Sequence, residues 1–223
     1  MLLAGWVASA ACTEAPGSTS TSSSAGSGAS ATTASSTSGG GSTSGTTGGT
    51  TTGPLPLAVF GTIPGDSFSP MSALSGQTPD SGGVQATAVV ISDLGDACAT
   101  LSSDAGMPSR ALLLVVGVAF PDGGIGPPTA PGTFTVADDF ASSGLAPGPA
   151  GTINYQNYLD GGCTAWLSTG GSIQLTSLIP VEGTFNVTLE SDFGEKPVDT
   201  QLTGSFTATA CPSLDFSLLN RSD

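Results

Sequence analysis

The chain contains no histidine, and only three of its 223 residues are basic: Arg110, Lys196 and Arg221. Each shortage excludes chemistry. Without imidazole there is no Ser-His-Asp triad, no Cys-His pair, no histidine-ligated zinc and no axial histidine for haem. Three scattered cations cannot neutralise a phosphate backbone, which excludes nucleic acid as a partner and argues against electrostatic docking on anionic lipid. Long apolar runs are missing too. Residues 2 to 11 (LLAGWVASAA) and 111 to 120 (ALLLVVGVAF) both fall well short of the ~20 residues that a helix needs to cross a bilayer. What is plentiful is acid: 17 Asp and Glu give a formal charge of −14, which favours solubility.

Residues 1 to 11 read as the end of a signal peptide, an apolar stretch with small residues near a processing site but no basic region before it, as though the numbering starts inside a longer signal. Two cleavages fit. Ala8-Ser9-Ala10 suits ordinary signal peptidase and would release a soluble protein. Ser9-Ala10-Ala11-Cys12 resembles the lipobox of bacterial lipoproteins, in which the cysteine is lipidated and becomes the first residue. Ser9 stands where that motif usually has Leu, but the tract after Cys12 favours the lipoprotein. Residues 16 to 53 are almost wholly Ser, Thr, Gly and Ala, too poor in apolar surface to offset the entropy of ordering. Residues 12 to 53 are therefore an anchor cysteine and a disordered linker with a reach of roughly 35 Å. In the lipoprotein resemblance, Thr13 rather than Asp after the cysteine implies the outer membrane, and the partner implied is the bilayer itself.

From Leu55 the pattern becomes short apolar runs cut by Gly, Pro, Asn and Asp. Residues 184 to 190 (TFNVTLE) and 201 to 208 (QLTGSFTA) alternate with period two, as do Ile173 and Leu175, which marks half-buried antiparallel strands. Further strands are expected at 56 to 63, 84 to 91, 111 to 120, 132 to 137 and 152 to 158. The segment 111 to 120 is apolar on both faces and reads as a central strand covered on each side. PDGGIGPP (121 to 128) and LAPGPAG (145 to 151) read as loops, and Ser92 as the cap of a short helix over 93 to 101. The expected fold of residues 54 to 223 is all-β: an antiparallel β-sandwich or flattened barrel of about eight strands with one short helix.

The strings FGTIPGDSFSP (60 to 70), SIQLTSL (172 to 178), GTFNVTL (183 to 189) and LTGSFTATAC (202 to 211) resemble a group of uncharacterised lipoproteins from high-GC Gram-negative bacteria that pair a Ser/Thr/Gly-rich tether with one small β-domain. The resemblance implies location and architecture, and no activity.

With Cys12 assigned to lipid, Cys98, Cys163 and Cys211 remain, an odd number for an oxidising compartment. Of the three pairings, Cys98–Cys211 is favoured because it ties the helix to the end of the last strand, whereas Cys163 falls at the opposite end of a terminal meander from Cys211. A catalytic thiol is not expected, since few cations and no histidine are present to lower its pKa.

Two motifs tempt and fail. Asp80-Ser81-Gly82-Gly83 is similar to the nucleophile loop of chymotrypsin-like proteases but has no histidine to take the proton. Asp80-Ser81-Gly82 also fits an aspartic-protease loop, of which two are required and one is present. Carboxylates at Glu190, Asp192, Glu195 and Asp199, and at Asp138 and Asp139, offer oxygen ligands for Ca²⁺ without matching any calcium-loop spacing. They read as a solvated hairpin tip. No metal site, catalytic residue or cofactor is assigned. The leading expectation is a lipid-anchored envelope protein that displays an acidic β-domain for binding or structure. The alternatives are a secreted carboxylate-based hydrolase acting on glycans, for which Trp166, Tyr155 and Tyr158 are the available ring platforms, and a calcium-stabilised adhesion-type module.

Overall fold

The computed structural model describes residues 54–78, 84–102, 108–137, 145–158, 164–191 and 199–214. Ten strands and one helix follow in the order β1 (Ala58–Gly61), β2 (Ser72–Gln77), β3 (Thr87–Ser92), α1 (Ala97–Ser102), β4 (Arg110–Ala119), β5 (Ile125–Gly126), β6 (Gly132–Val136), β7 (Gly148–Asn157), β8 (Thr164–Leu178), β9 (Val181–Ser191) and β10 (Asp199–Ala210). The pairing runs β10-β2-β3-β4-β7-β8-β9 and returns to β10, so the sheet closes on itself as a barrel. β6 wedges between β7 and β8, and β1 lies along β10 just before β2 takes over the same edge.

Most pairs are antiparallel, as expected. Two short parallel junctions make the sheet mixed: β10 with β2 at Thr209↔Leu74 and Ala210↔Ser75, and β6 with β7 at Thr135↔Ala150 and Val136↔Gly151. The first of these, extended by Cys211 N donating to Ser75 O at 2.8 Å, closes the barrel between an early strand and the last one.

Alternation assigns the two faces. On β3, Val89 and Ile91 point into the barrel while Ala88 and Val90 point out; on β4, Leu112, Leu114 and Val116 point in while Ala111 and Val115 point out. The inner set joins Phe134, Ile153, Tyr155, Trp166, Ile173, Phe185, Val187, Leu189, Leu202 and Phe206 in the main core. The outer set forms a second core beneath Ala97 and Leu101 of α1, with Cys211 and Leu214. This explains why 111 to 120 is apolar throughout: β4 is covered on both faces.

Several boundaries differ from the sequence reading. The helix is confined to 97–102, and Ser92 does not cap it: its Oγ lies buried and accepts from Leu94 N at 3.1 Å, closing a turn at the end of β3. Asp93 is held away from a helical path because its Oδ1 accepts from Arg110 N at 3.1 Å. β7 starts at Gly148 inside the expected loop, where Gly148 (φ +139°) and Pro149 pair with Ala119 and Val118. β8 extends back to Thr164, where its first residues pair with β7, and a register shift between Ser168 and Gly170 breaks the alternation that would have marked this start. Gly171 beside that shift has φ +121°, and a Cβ there would lie 2.2 Å from Asn186 O, so both conformation and space require glycine.

Candidate functional site at one end of the barrel

One end of the barrel is crossed by the segment between β1 and β2. Its sequence Ile63-Pro64-Gly65-Asp66 specifies a tight turn: Pro presets the first central position, Gly65 supplies φ +80° at the second, and Asp66 N donates to Ile63 O at 2.9 Å. Ile63 is buried against the inner core, and the Phe68 ring meets Tyr155 edge to face at 5.5 Å between centroids. The turn thus closes the end with apolar side chains and delivers Asp66 to the start of β4 and the end of β7.

Asp66 gathers donors from β4, from β7 and from its own loop. Oδ1 accepts from Arg110 Nε at 2.6 Å and from Ser67 N at 2.7 Å; Oδ2 accepts from Tyr155 OH and from Asn157 Nδ2 at 2.6 Å. Arg110 and Asn157 are register partners on β4 and β7, which places both donors at one level of the barrel wall. Asp93 adds a second carboxylate, with Oδ2 3.9 Å from an Arg110 guanidinium nitrogen.

The electrostatics follow from these contacts. Burial by itself would raise the Asp66 pKa, but the hydrogen bonds from Tyr155, Arg110 and Ser67 outweigh it and hold the carboxyl below its ordinary range. Burial first, then the hydrogen bond to Asp66 and the charge of that carboxylate, push the Tyr155 hydroxyl above its ordinary range. The hydrogen bond to Asp66 raises the Arg110 guanidinium further. A carboxylate kept ionised with both oxygens bonded acts as a latch on the loop, and neither donates a proton nor accepts a new ligand unless one of these contacts breaks.

The sequence-derived candidates distribute as follows. Cys98 and Cys211 form the favoured disulfide, with Cα atoms 5.8 Å apart. Cys12, Cys163, Asp80, Ser81, Asp138, Asp139, Asp192 and Glu195 lie outside the described residues. Glu190 and Asp199 face each other directly across β9 and β10, a like-charged pair at the end of the hairpin. Among the described residues no group of three or more His, Cys, Asp or Glu side chains is placed to hold a metal ion, and no helix is long and apolar enough to cross a membrane. Trp166 and Tyr155 are core residues, and burial raises the Tyr158 hydroxyl, which donates to Gln156 Oε1; none of the three is an exposed ring platform.

The Asp66 cluster was not singled out by the motif reading. Its signal was present in the Ile-Pro-Gly-Asp turn and in Arg110, the one cation next to an apolar strand, but no local spacing links residues that lie 44 and 89 positions from Asp66 in sequence. Compared with known protein families, with curated proteins and with solved structures, the chain matches none.

Proposed function

We propose that the chain is a lipid-anchored cell-envelope protein: Cys12 carries the lipid, the Ser/Thr/Gly-rich tract tethers it, and the closed β-barrel is the displayed, ligand-binding part. The observation that carries this reading is the Cys98–Cys211 disulfide, which suits a chain that folds in an oxidising, extracytoplasmic compartment. The position of β1 adds support, since the first strand starts within a few residues of the end of the low-complexity tract. An outer-membrane location accords with Thr13 after the cysteine. Labelling with radioactive palmitate in a Gram-negative host tests the proposal. Label should enter the wild-type chain and be lost in Cys12→Ser, with the protein moving from the detergent phase to the aqueous phase on Triton X-114 partition. An unlabelled wild-type chain in the aqueous phase would overturn the anchor.

A further inference from the structure

The outer surface of β6, β8, β9, β10 and β1 carries an ordered array without charge. Register partners in antiparallel strands share a face, so the pairings define rows. One row is Thr133–Gln174–Thr184–Ser205–Ala58. The next is Thr135–Ser172–Asn186–Thr203–Phe60. Thr188 and Gln201 begin a third on β9 and β10. Their neighbours along each strand, among them Phe134, Ile173, Phe185, Val187 and Leu202, fill the core, so the array faces outward.

Three features set this face apart. First, nearly every position is a hydroxyl or carboxamide, groups that both donate and accept hydrogen bonds. Among the described residues, only Ser205 in these rows commits its side chain within the chain, donating to Pro56 O at 2.6 Å. Second, acids border it along β9 and at the start of β10, where Asp199 pairs with Glu190. On β9, Glu182 precedes Thr184 and Glu190 follows Thr188, so a neutral band lies between negative borders. Third, the second row ends on Phe60, an aromatic ring 64% exposed on the strand that forms the outer margin of the array.

We infer that this face binds a neutral, hydroxyl-rich glycan chain. Within each row, hydroxyls and carboxamides recur about every 4.8 Å from strand to strand and exchange hydrogen bonds with sugar hydroxyls, and Phe60 stacks on the apolar face of one ring. The acidic margins and the net charge of −14 repel anionic polymers, which selects uncharged chains. This inference rests on the reading of the barrel as a ligand-binding part and is independent of the anchor.

The test is affinity electrophoresis of the detergent-solubilised full chain through gels containing a β-glucan, a mannan, dextran or polygalacturonate, with pull-down on cellulose and chitin. At least one neutral glycan should retard or capture the chain, and polygalacturonate should not. Phe60→Ala should weaken binding about tenfold, Asn186→Glu should abolish it, and Asp122→Asn in the exposed β4–β5 turn should leave it unchanged. Hydroxyl-radical footprinting of the wild-type chain gives a readout free of variant folding: bound glycan should protect Phe60 and the outer residues of β9 and β10. Failure of every neutral glycan to bind overturns the inference. So does binding without protection of this face, or a Phe60→Ala effect that tracks dimerisation through the β1 edge, which would assign the face to a second copy. A glycan result of either sign leaves the palmitate experiment on Cys12 unaffected, so failure of the two readings is distinguishable.

Discussion

Removing the Cys98–Cys211 disulfide should destabilise the barrel more than any other single covalent change. The bond closes a loop of 113 residues that runs from α1 to the end of β10 and holds seven of the ten strands, β4 to β10. In the chain-entropy treatment, opening a loop of that length costs about 4.8 kcal/mol at 25 °C. For a domain of this size that corresponds to a fall in Tm of roughly 10–20 °C. The structure gives a reason for the cost to approach that figure: β10 meets β2 through only two register pairs and the Cys211 N to Ser75 O bond, and the disulfide clamps that seam to α1. The assay is thermal unfolding by circular dichroism for wild type, Cys98→Ser/Cys211→Ser and wild type in dithiothreitol. The double variant and the reduced protein should melt together, far below the oxidised protein. A double variant melting within 2–3 °C of wild type would refute the argument that the seam depends on the cross-link.

Three further outcomes follow from the geometry. Tyr155→Phe removes a hydroxyl that donates to an ionised carboxylate and should cost about 1.5–3 kcal/mol in urea unfolding, with the m-value unchanged. Because the folded pKa of Asp66 is lowered, its contribution is complete above the unfolded carboxylate value of ~3.9 and is lost as pH falls through the folded pKa; Asp66→Asn should flatten the acid limb of the stability profile and leave the pH 6–8 region parallel to wild type. Gly204→Ala places a Cβ 2.4 Å from the Phe185 ring and 2.6 Å from Ala58 O, an overpacking that should cost about 1–3 kcal/mol by thermal or chemical melt.

The architecture was legible wherever alternation survives in the chain. β9, β10, β6 and β4 announce themselves through Phe185, Val187 and Leu189, through Leu202 and Phe206, through Phe134 and Val136, and through the doubly covered run at 111 to 120. β2 escaped because Ala73 and Leu74 belong to different cores, so both are buried and no alternation shows. The two-residue β5 has no period to read, and the start of β8 is masked by its register shift. The disulfide could be inferred from topology, since Cys98 and Cys211 flank elements that the fold brings together. The Asp66 latch could not: Asp66, Arg110, Tyr155 and Asn157 meet only because the barrel closes and the β1–β2 loop folds across its end. The neutral face was equally hidden, because its rows run across strands and single outward Thr or Ser residues look like any solvated position.

The intact mass of the mature protein, taken from the membrane fraction of its native host, tests the central claim most directly. The account predicts a chain that begins at Cys12 and carries a diacylglycerol adduct, with two hydrogens fewer than the reduced chain for Cys98–Cys211. A chain beginning at Ala11 without lipid, recovered from the soluble fraction, would contradict it and leave a freely exported barrel in place of a tethered one.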